Sequence, residues 1–195
     1  MTREIMPVII SSKTGGVMPK YLDKSEVVFK GSYFDVSVQD IMIDSGKVFS
    51  MQFVKHPGAV AILPLLDNDT VVMIRNERYA VSESLWEVPA GTLELGELPF
   101  DTAHRELIEE TGYSATNMEK FMEFYATPGY SNEKLYGYIA KDLTLGKQNL
   151  DESETISVHP LPIQKALEMV RDGEITDGKT VTMLLFYKQF YASIR

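Results

Sequence analysis

The stretch GTLELGELPFDTAHRELIEETGY, residues 91–113, constrains this chain more than any other, because it marks both ends of a helix and crowds charge along it. Pro99 stands where a first turn tolerates proline and Gly112 where a helix stops, so the spacing predicts a helix over 99–111. At about 100° per residue, Phe100, Ala103, Leu107 and Thr111 share one face with His104 and Ile108 at its margin, and that face is expected to be buried. Glu106, Glu109 and Glu110 fall on an adjacent arc, beside the apolar stripe and not opposite it. Three carboxylates are therefore expected at the edge of the core.

Like charges three and four residues apart repel by roughly a few tenths of a kcal/mol per pair. Something should offset this. Arg105 can pair with Glu109 one turn on, but a hard divalent cation with oxygen ligands holds all three glutamates more effectively, and Mg²⁺ suits a site that also takes phosphates. Taken alone, three glutamates read as a solvated helix face. The surrounding pattern decides between the two readings.

The remaining chain supplies a setting. At 195 residues it fits one domain with an appendage. Its 44% apolar and 24% charged composition is that of a globular protein, and no apolar run approaches the ~18–20 residues that cross a bilayer. The absence of cysteine excludes disulfides, thiolate metal sites and a Cys nucleophile. Three scattered histidines, His56, His104 and His159, do not make a metal cluster. A formal charge of −9 without a basic stripe argues against a nucleic-acid partner, so an anionic ligand requires a cation between itself and the protein. The expected location is the cytoplasm, with no membrane partner.

Residues 1–24, with Ser11, Ser12, Gly15, Gly16 and Pro19, read as a flexible N-terminal segment. Residues 25–55 alternate in the manner of strands around a turn at Asp44–Lys47, a β-rich module. From residue 56 the main domain begins, with AVAILPLL and TVVMIRNERYA as a second pair of strands about the turn Asp67-Asn68-Asp69, apolar enough to be buried. Strand-like KFMEFYATPG and KLYGYIAKDL follow, then an acidic stretch from Asp151 to Glu154, and two helices, PIQKALEMVRDG and TVTMLLFYKQFYASI. Strands and helices alternate irregularly, which predicts an α/β fold with a mixed sheet and helices on its faces.

The stretch 91–113 resembles the Nudix box, G-x(5)-E-x(7)-R-E-U-x-E-E-x-G-U with U a bulky apolar residue. It matches at Gly91, Glu97, Arg105, Glu106, Leu107, Glu109, Glu110 and Gly112, with Tyr113 a mild departure at the last position. The resemblance implies an α/β/α Nudix sandwich and attack of water on a diphosphate. HPGAVAILPLL, VVMIRNERYA and LWEVPAG resemble the ADP-ribose pyrophosphatase branch, as does Pro128, sixteen residues beyond Gly112, within ATPGYSNEK. Mg²⁺-dependent hydrolysis of a nucleoside diphosphate sugar is thereby implied, ADP-ribose giving AMP and ribose 5-phosphate. Mn²⁺ is a possible substitute metal. GDP-mannose or a broad range of such sugars is the alternative substrate. A non-catalytic module that senses ADP-ribose is the alternative of another class.

By the same resemblance Ala90 lends its carbonyl to the metal, and Glu106, Glu109, Glu110 and Glu154 lend carboxylates. Glu97 joins loop to helix, and Arg105 orients Glu109. Arg78 binds phosphate through its guanidinium fork, while Glu87, Thr127, Pro128, Gly129 and Glu133 contribute to the substrate site. Asn76 and Glu77 stand where relatives often carry Gln and an aromatic, which leaves base and ribose contacts there open. Glu152 is the implied general base, with Glu133 its rival; a metal-activated water needs only such an acceptor. Residues 25–55 resemble an arm exchanged between protomers, which implies a homodimer, with Tyr33, Phe34 and Phe49 as partner-facing or base-stacking candidates.

Overall fold

The computed structural model describes residues 20–22 and 25–191. Most of the segment expected to be flexible, residues 1–19 with 23 and 24, lies outside the described residues. The chain divides into two compact units, one running to Pro57 and including Thr127–Glu133, the other comprising Gly58–Ala126 and the chain from Lys134 onward.

The first unit is an antiparallel sheet. Strand β3 (Asp35–Met42) is central: it pairs with β1 (Lys20–Tyr21), with β2 (Glu26–Lys30) and with β4 (Val48–Lys55). Gly46, at φ +78°, closes the β3–β4 turn where the sequence places it. The sheet thus starts earlier than residue 25, because Lys20 and Tyr21 register with Met42 and Ile41. Strands β2 and β3 are separated at residues 31–34, where Gly31 N–H donates to the Phe34 carbonyl at 3.1 Å. All five residues of β2 are exposed, as are Tyr33, Phe34 and Phe49.

The second unit carries two sheets. One has the order β8-β5-β10-β9, built from β5 (Ala59–Pro64), β8 (Ala90–Thr92), β9 (Tyr113–Tyr125) and β10 (Lys134–Leu145). It is mixed: β5 and β10 run parallel, the other pairs antiparallel. The second is antiparallel, β11-β6-β7, from β6 (Thr70–Arg78), β7 (Glu83–Glu87) and β11 (Ile156–Pro162). The expected pair of strands about the Asp67–Asp69 turn forms, but β5 and β6 lie in different sheets, with an isolated bridge at Leu65–Val71.

The reason lies in β5, every residue of which is buried. Successive side chains of a strand point to opposite faces, and here both faces are covered. Val60 and Ile62 pack with Ala103 and Leu107 of helix α1 (Pro99–Thr111), whereas Ala59, Ala61 and Leu63 pack with Ala166, Met169, Met183 and Leu184 of α2 (Ile163–Arg171) and α3 (Gly178–Phe186). A strand between two helical layers reads as a continuous apolar run. Each of these larger side chains contributes about 1.5–3 kcal/mol of burial, and together they fix an α/β/α sandwich with α1 alone on one side. A π-helical turn, Tyr187–Tyr191, ends the described chain. Among the described residues no helix is long and apolar enough to cross a membrane.

Helix α1 has the predicted bounds. Gly112 sits at φ +76° and its N–H donates to the Ile108 carbonyl at 2.8 Å, the left-handed stop that glycine adopts without steric cost. Its buried face is rotated from the expected one. Phe100 is 47% exposed and Ile108 40%, while Glu106 is 8% and Glu110 2% exposed. The helix therefore turns two carboxylates inward.

Candidate active site

The inward carboxylates are held by the strand and loop ahead of the helix. Gly91 lies against Glu106 so closely that a Cβ there would come within 1.9 Å of the Glu106 carboxyl carbon, which is why the position takes no side chain. The Ala90 N–H donates to Glu110 Oε2 at 2.8 Å. Strand β8 thus brings the Ala90 peptide and two glutamates of α1 together.

Arg105 organises the adjoining acids. Its Nε and Nη2 grip Glu97 at 3.0 and 2.9 Å, and Nη1 donates to Glu106 Oε1 at 2.7 Å and to Glu109 Oε2 at 2.9 Å. Planar, five-donor geometry makes arginine suited to bridging several carboxylates. The Arg105 hydrogen bonds hold the Glu97 carboxyl down at about 2, and the pairing raises the affinity of Arg105 for its proton.

Glu106 and Glu110 behave oppositely. Burial pushes Glu106 up to about 7 despite Arg105, with Glu109 and Glu154 adding repulsion. Burial pushes Glu110 up to about 8, the Ala90 N–H opposing and the Glu106 and Glu154 charges reinforcing. Carboxylates perturbed by burial and by neighbouring charge in this way cluster at functional sites. Glu154 therefore lies within electrostatic reach of both buried glutamates, on the loop before β11, where its Oε2 accepts from the Asp151 N–H at 3.0 Å. Glu152, on the same loop, is exposed.

Beside this cluster stands a second group. Glu87, 1% exposed, receives Arg78 Nε and Nη2 at 2.7 and 2.6 Å and Lys179 Nζ at 2.5 Å. Burial acts to raise the Glu87 carboxyl, but Arg78 and Lys179 together bring it below its ordinary value. The fork of Arg78 expected on phosphate is thus engaged by Glu87, leaving Nη1 outside that pair. Lys179 also pairs with Asp177 at 3.1 Å, and Asp177 caps α3 by accepting from the Thr180 N–H at 3.0 Å. Thr180 Oγ1 in turn accepts from the Val88 N–H at 2.9 Å, fixing the start of α3 against the segment between β7 and β8. Lys179, Asp177 and Thr180 were not legible as site residues. Their one local signal is Asp177 three residues before a threonine at a helix start.

Thr127, Pro128, Gly129 and Glu133 belong to the first unit. There the Tyr130 and Ser131 N–H groups donate to the Thr127 carbonyl, a turn about Pro128 and Gly129, and Glu133 lies 4.0 Å from His56 Nδ1.

The donor set suits a divalent metal ion: hard carboxylate oxygens, largely desolvated, beside the Ala90 peptide. Glu106 Oε1 is committed to Arg105 and Glu110 Oε2 to Ala90, so among the described residues no three acidic or histidine side chains enclose an ion as they stand. Oε2 of Glu106 and Oε1 of Glu110 lie outside those bonds, and the close approach of Gly91 leaves the carboxylates, not a side chain, to fill the space.

An α/β/α sandwich that turns buried glutamates of a loop-helix-loop toward a strand peptide has the donor chemistry of a metal-using hydrolase. The sequence matches the family model described as NUDIX domain over residues 55–183. It is 39% identical over 157 residues to the ADP-ribose pyrophosphatase of Bacillus subtilis (strain 168), covering 80% of this chain and 85% of that one. It is 32% identical over 186 residues to the GDP-mannose pyrophosphatase of Citrobacter koseri, covering 90% and 95%. Among solved structures, one described as an ADP compounds hydrolase matches with a TM-score of 0.78 at 22% identity, over 90% of this chain and 95% of that one. The chain belongs to the Nudix family and is a pyrophosphohydrolase of it; such hydrolases use divalent metal ions.

Proposed function

We propose that the protein hydrolyses the diphosphate of nucleoside diphosphate sugars in the cytoplasm with Mg²⁺, and that ADP-ribose, cleaved to AMP and ribose 5-phosphate, is its main substrate. The observation that carries the reading is the pair of buried glutamates, Glu106 packed against Gly91 and Glu110 bonded to the Ala90 N–H, whose carboxyls burial pushes up to about 7 and 8. The bacterial relative at 39% identity supports the choice of ADP-ribose.

In this reading Ala90, Glu106, Glu109, Glu110 and Glu154 hold the metal. Bound there, Mg²⁺ or Mn²⁺ neutralises diphosphate charge and lowers the pKa of a water. The protein's own residues do the remainder. Arg105 fixes Glu109 through the 2.9 Å bond while its grip on Glu97 ties the loop to the helix. Glu152, exposed on its loop, accepts the proton of the attacking water, with Glu133 as the alternative acceptor. Arg78, steadied by Glu87, presents positive charge to the phosphates.

The exposed apolar residues of the β1–β4 sheet, among them Val28 at 56% and Phe29 at 56% exposure, support a homodimer formed through that arm. The 32% relative favours GDP-mannose as the second reading.

The test is a substrate panel in Mg²⁺: ADP-ribose, GDP-mannose and a dinucleoside polyphosphate, with products identified by mass. The highest kcat/KM is expected for ADP-ribose, and Glu152→Gln should slow turnover without weakening substrate binding. Preference for GDP-mannose would replace the substrate, an unaffected Glu152→Gln would move the base to Glu133, and tight ADP-ribose binding without product would leave a sensing module.

A further inference from the structure

The last carbonyls of a helix have no partner within it and must be satisfied from outside. In α1 that partner is the loop between β10 and β11. The Asn149 N–H donates to the Glu109 carbonyl at 3.0 Å, and Gln148 Nε2 donates to the Glu110 carbonyl at 2.6 Å. The Gly146 N–H donates to the Gly112 carbonyl at 2.7 Å. The same Gln148 nitrogen lies 3.4 Å from the Ile156 carbonyl, at the far end of the loop. We propose that Gln148 is a positioning residue, whose side-chain amide clamps the loop carrying Glu152 and Glu154 to the turn of α1 carrying Glu109 and Glu110.

Electrostatics shows why a clamp is needed. The loop is acidic, with Asp151, Glu152 and Glu154. It approaches a helix C-terminus, whose dipole is negative and whose last turn has no basic residue. Glu106 and Glu110 face the charge of Glu154 as well. Each of these repels the loop, whose one basic residue is Lys147. A neutral amide can hold such a loop without adding charge, because its single nitrogen carries two N–H donors, directed here at the Glu110 and Ile156 carbonyls on the two sides of the loop. Contact is close throughout, since a Cβ on Gly112 would lie 2.9 Å from the Gln148 nitrogen of the main chain.

The proposal rests on the metal and base roles given above to Glu154 and Glu152, and the experiment separates the two. In metal-free protein, Gln148→Ala should speed amide hydrogen exchange at Asn149 and Glu154 about tenfold, with exchange in β5 and α3 unchanged. Mg²⁺ affinity, measured calorimetrically without substrate, should fall several-fold in Gln148→Ala and in Glu154→Gln, and the double variant should be no weaker than Glu154→Gln alone. Gln148→Glu, which turns an acceptor toward both carbonyls, should exceed the alanine effect. Unchanged exchange at Asn149 and Glu154 would overturn the clamp. Additive losses of Mg²⁺ affinity would overturn it too, by showing that Gln148 acts through general stability. Faster exchange in Gln148→Ala with Mg²⁺ affinity untouched by Glu154→Gln would uphold the clamp and remove Glu154 from the metal site.

Discussion

Gly91→Ala isolates the packing on which the site depends. The added Cβ would meet the Glu106 carboxyl carbon and Oε1 at 1.9 Å and Oε2 at 2.3 Å. Unbonded carbon atoms rest at about 3.5–4.0 Å, so the carboxylate must retreat by roughly 1.6–2 Å. Gly91 does not have a positive φ, so the effect is steric rather than conformational. The retreat disturbs the 2.7 Å bond from Arg105 and leaves Arg105 on Glu97 and Glu109. Overpacking of this kind costs about 1–3 kcal/mol, or roughly 2–12 °C in Tm for a chain of this size. Turnover should suffer more, since a misplacement near 1 Å at reacting groups costs about a hundredfold. Thermal unfolding and ADP-ribose hydrolysis measured on the same preparation give both quantities. A variant with wild-type Tm and turnover would refute the placement of Glu106 against β8.

Glu87→Gln leaves the cations of Arg78 and Lys179 without their shared buried anion. Removing one partner of a buried pair costs about 3–5 kcal/mol; Arg78 is 42% exposed along its side chain, so the lower end applies, about 3 kcal/mol. Calorimetry should show a Tm lower by roughly 6–12 °C, and a shift under about 2 °C contradicts the pairing. The raised values of Glu106 and Glu110, about 7 and 8 against an ordinary 4.5, set a pH dependence for the metal-free protein. Between those limits the folded state holds protons that the unfolded chain has shed. The stability due to these groups is therefore complete below about 4.5 and lost as pH rises through 7 and 8. Saturating Mg²⁺ should remove the slope, and a metal-free Tm that climbs over this range contradicts it.

What could be read from the sequence was local. Pro99 and Gly112 mark the ends of α1 because proline and glycine act through their own backbone angles, and the positions of Arg105 and its glutamates follow from helical spacing. The separation of β5 from β6 was not legible, since a strand apolar on both faces looks the same in a hairpin as between helical layers. Nor was the outward turn of Phe100, which depends on how α1 is rotated against Val60 and Ile62. Lys179 and Gln148 escaped notice because each meets its partners across long stretches of chain, 92 residues to Glu87 and 38 to Glu110. Such contacts leave no periodicity.

The most direct test of the account is Mg²⁺ titration calorimetry on Glu110→Gln, paired with ADP-ribose turnover. Removing a carboxylate that is 2% exposed should leave the metal-free fold as stable as the parent, or more stable above the pH where Glu110 ionises. Mg²⁺ binding should be lost and turnover should fall at least about a hundredfold. A folded Glu110→Gln protein that binds Mg²⁺ and cleaves ADP-ribose like the parent would contradict the claim that the buried carboxylates of α1 hold the metal.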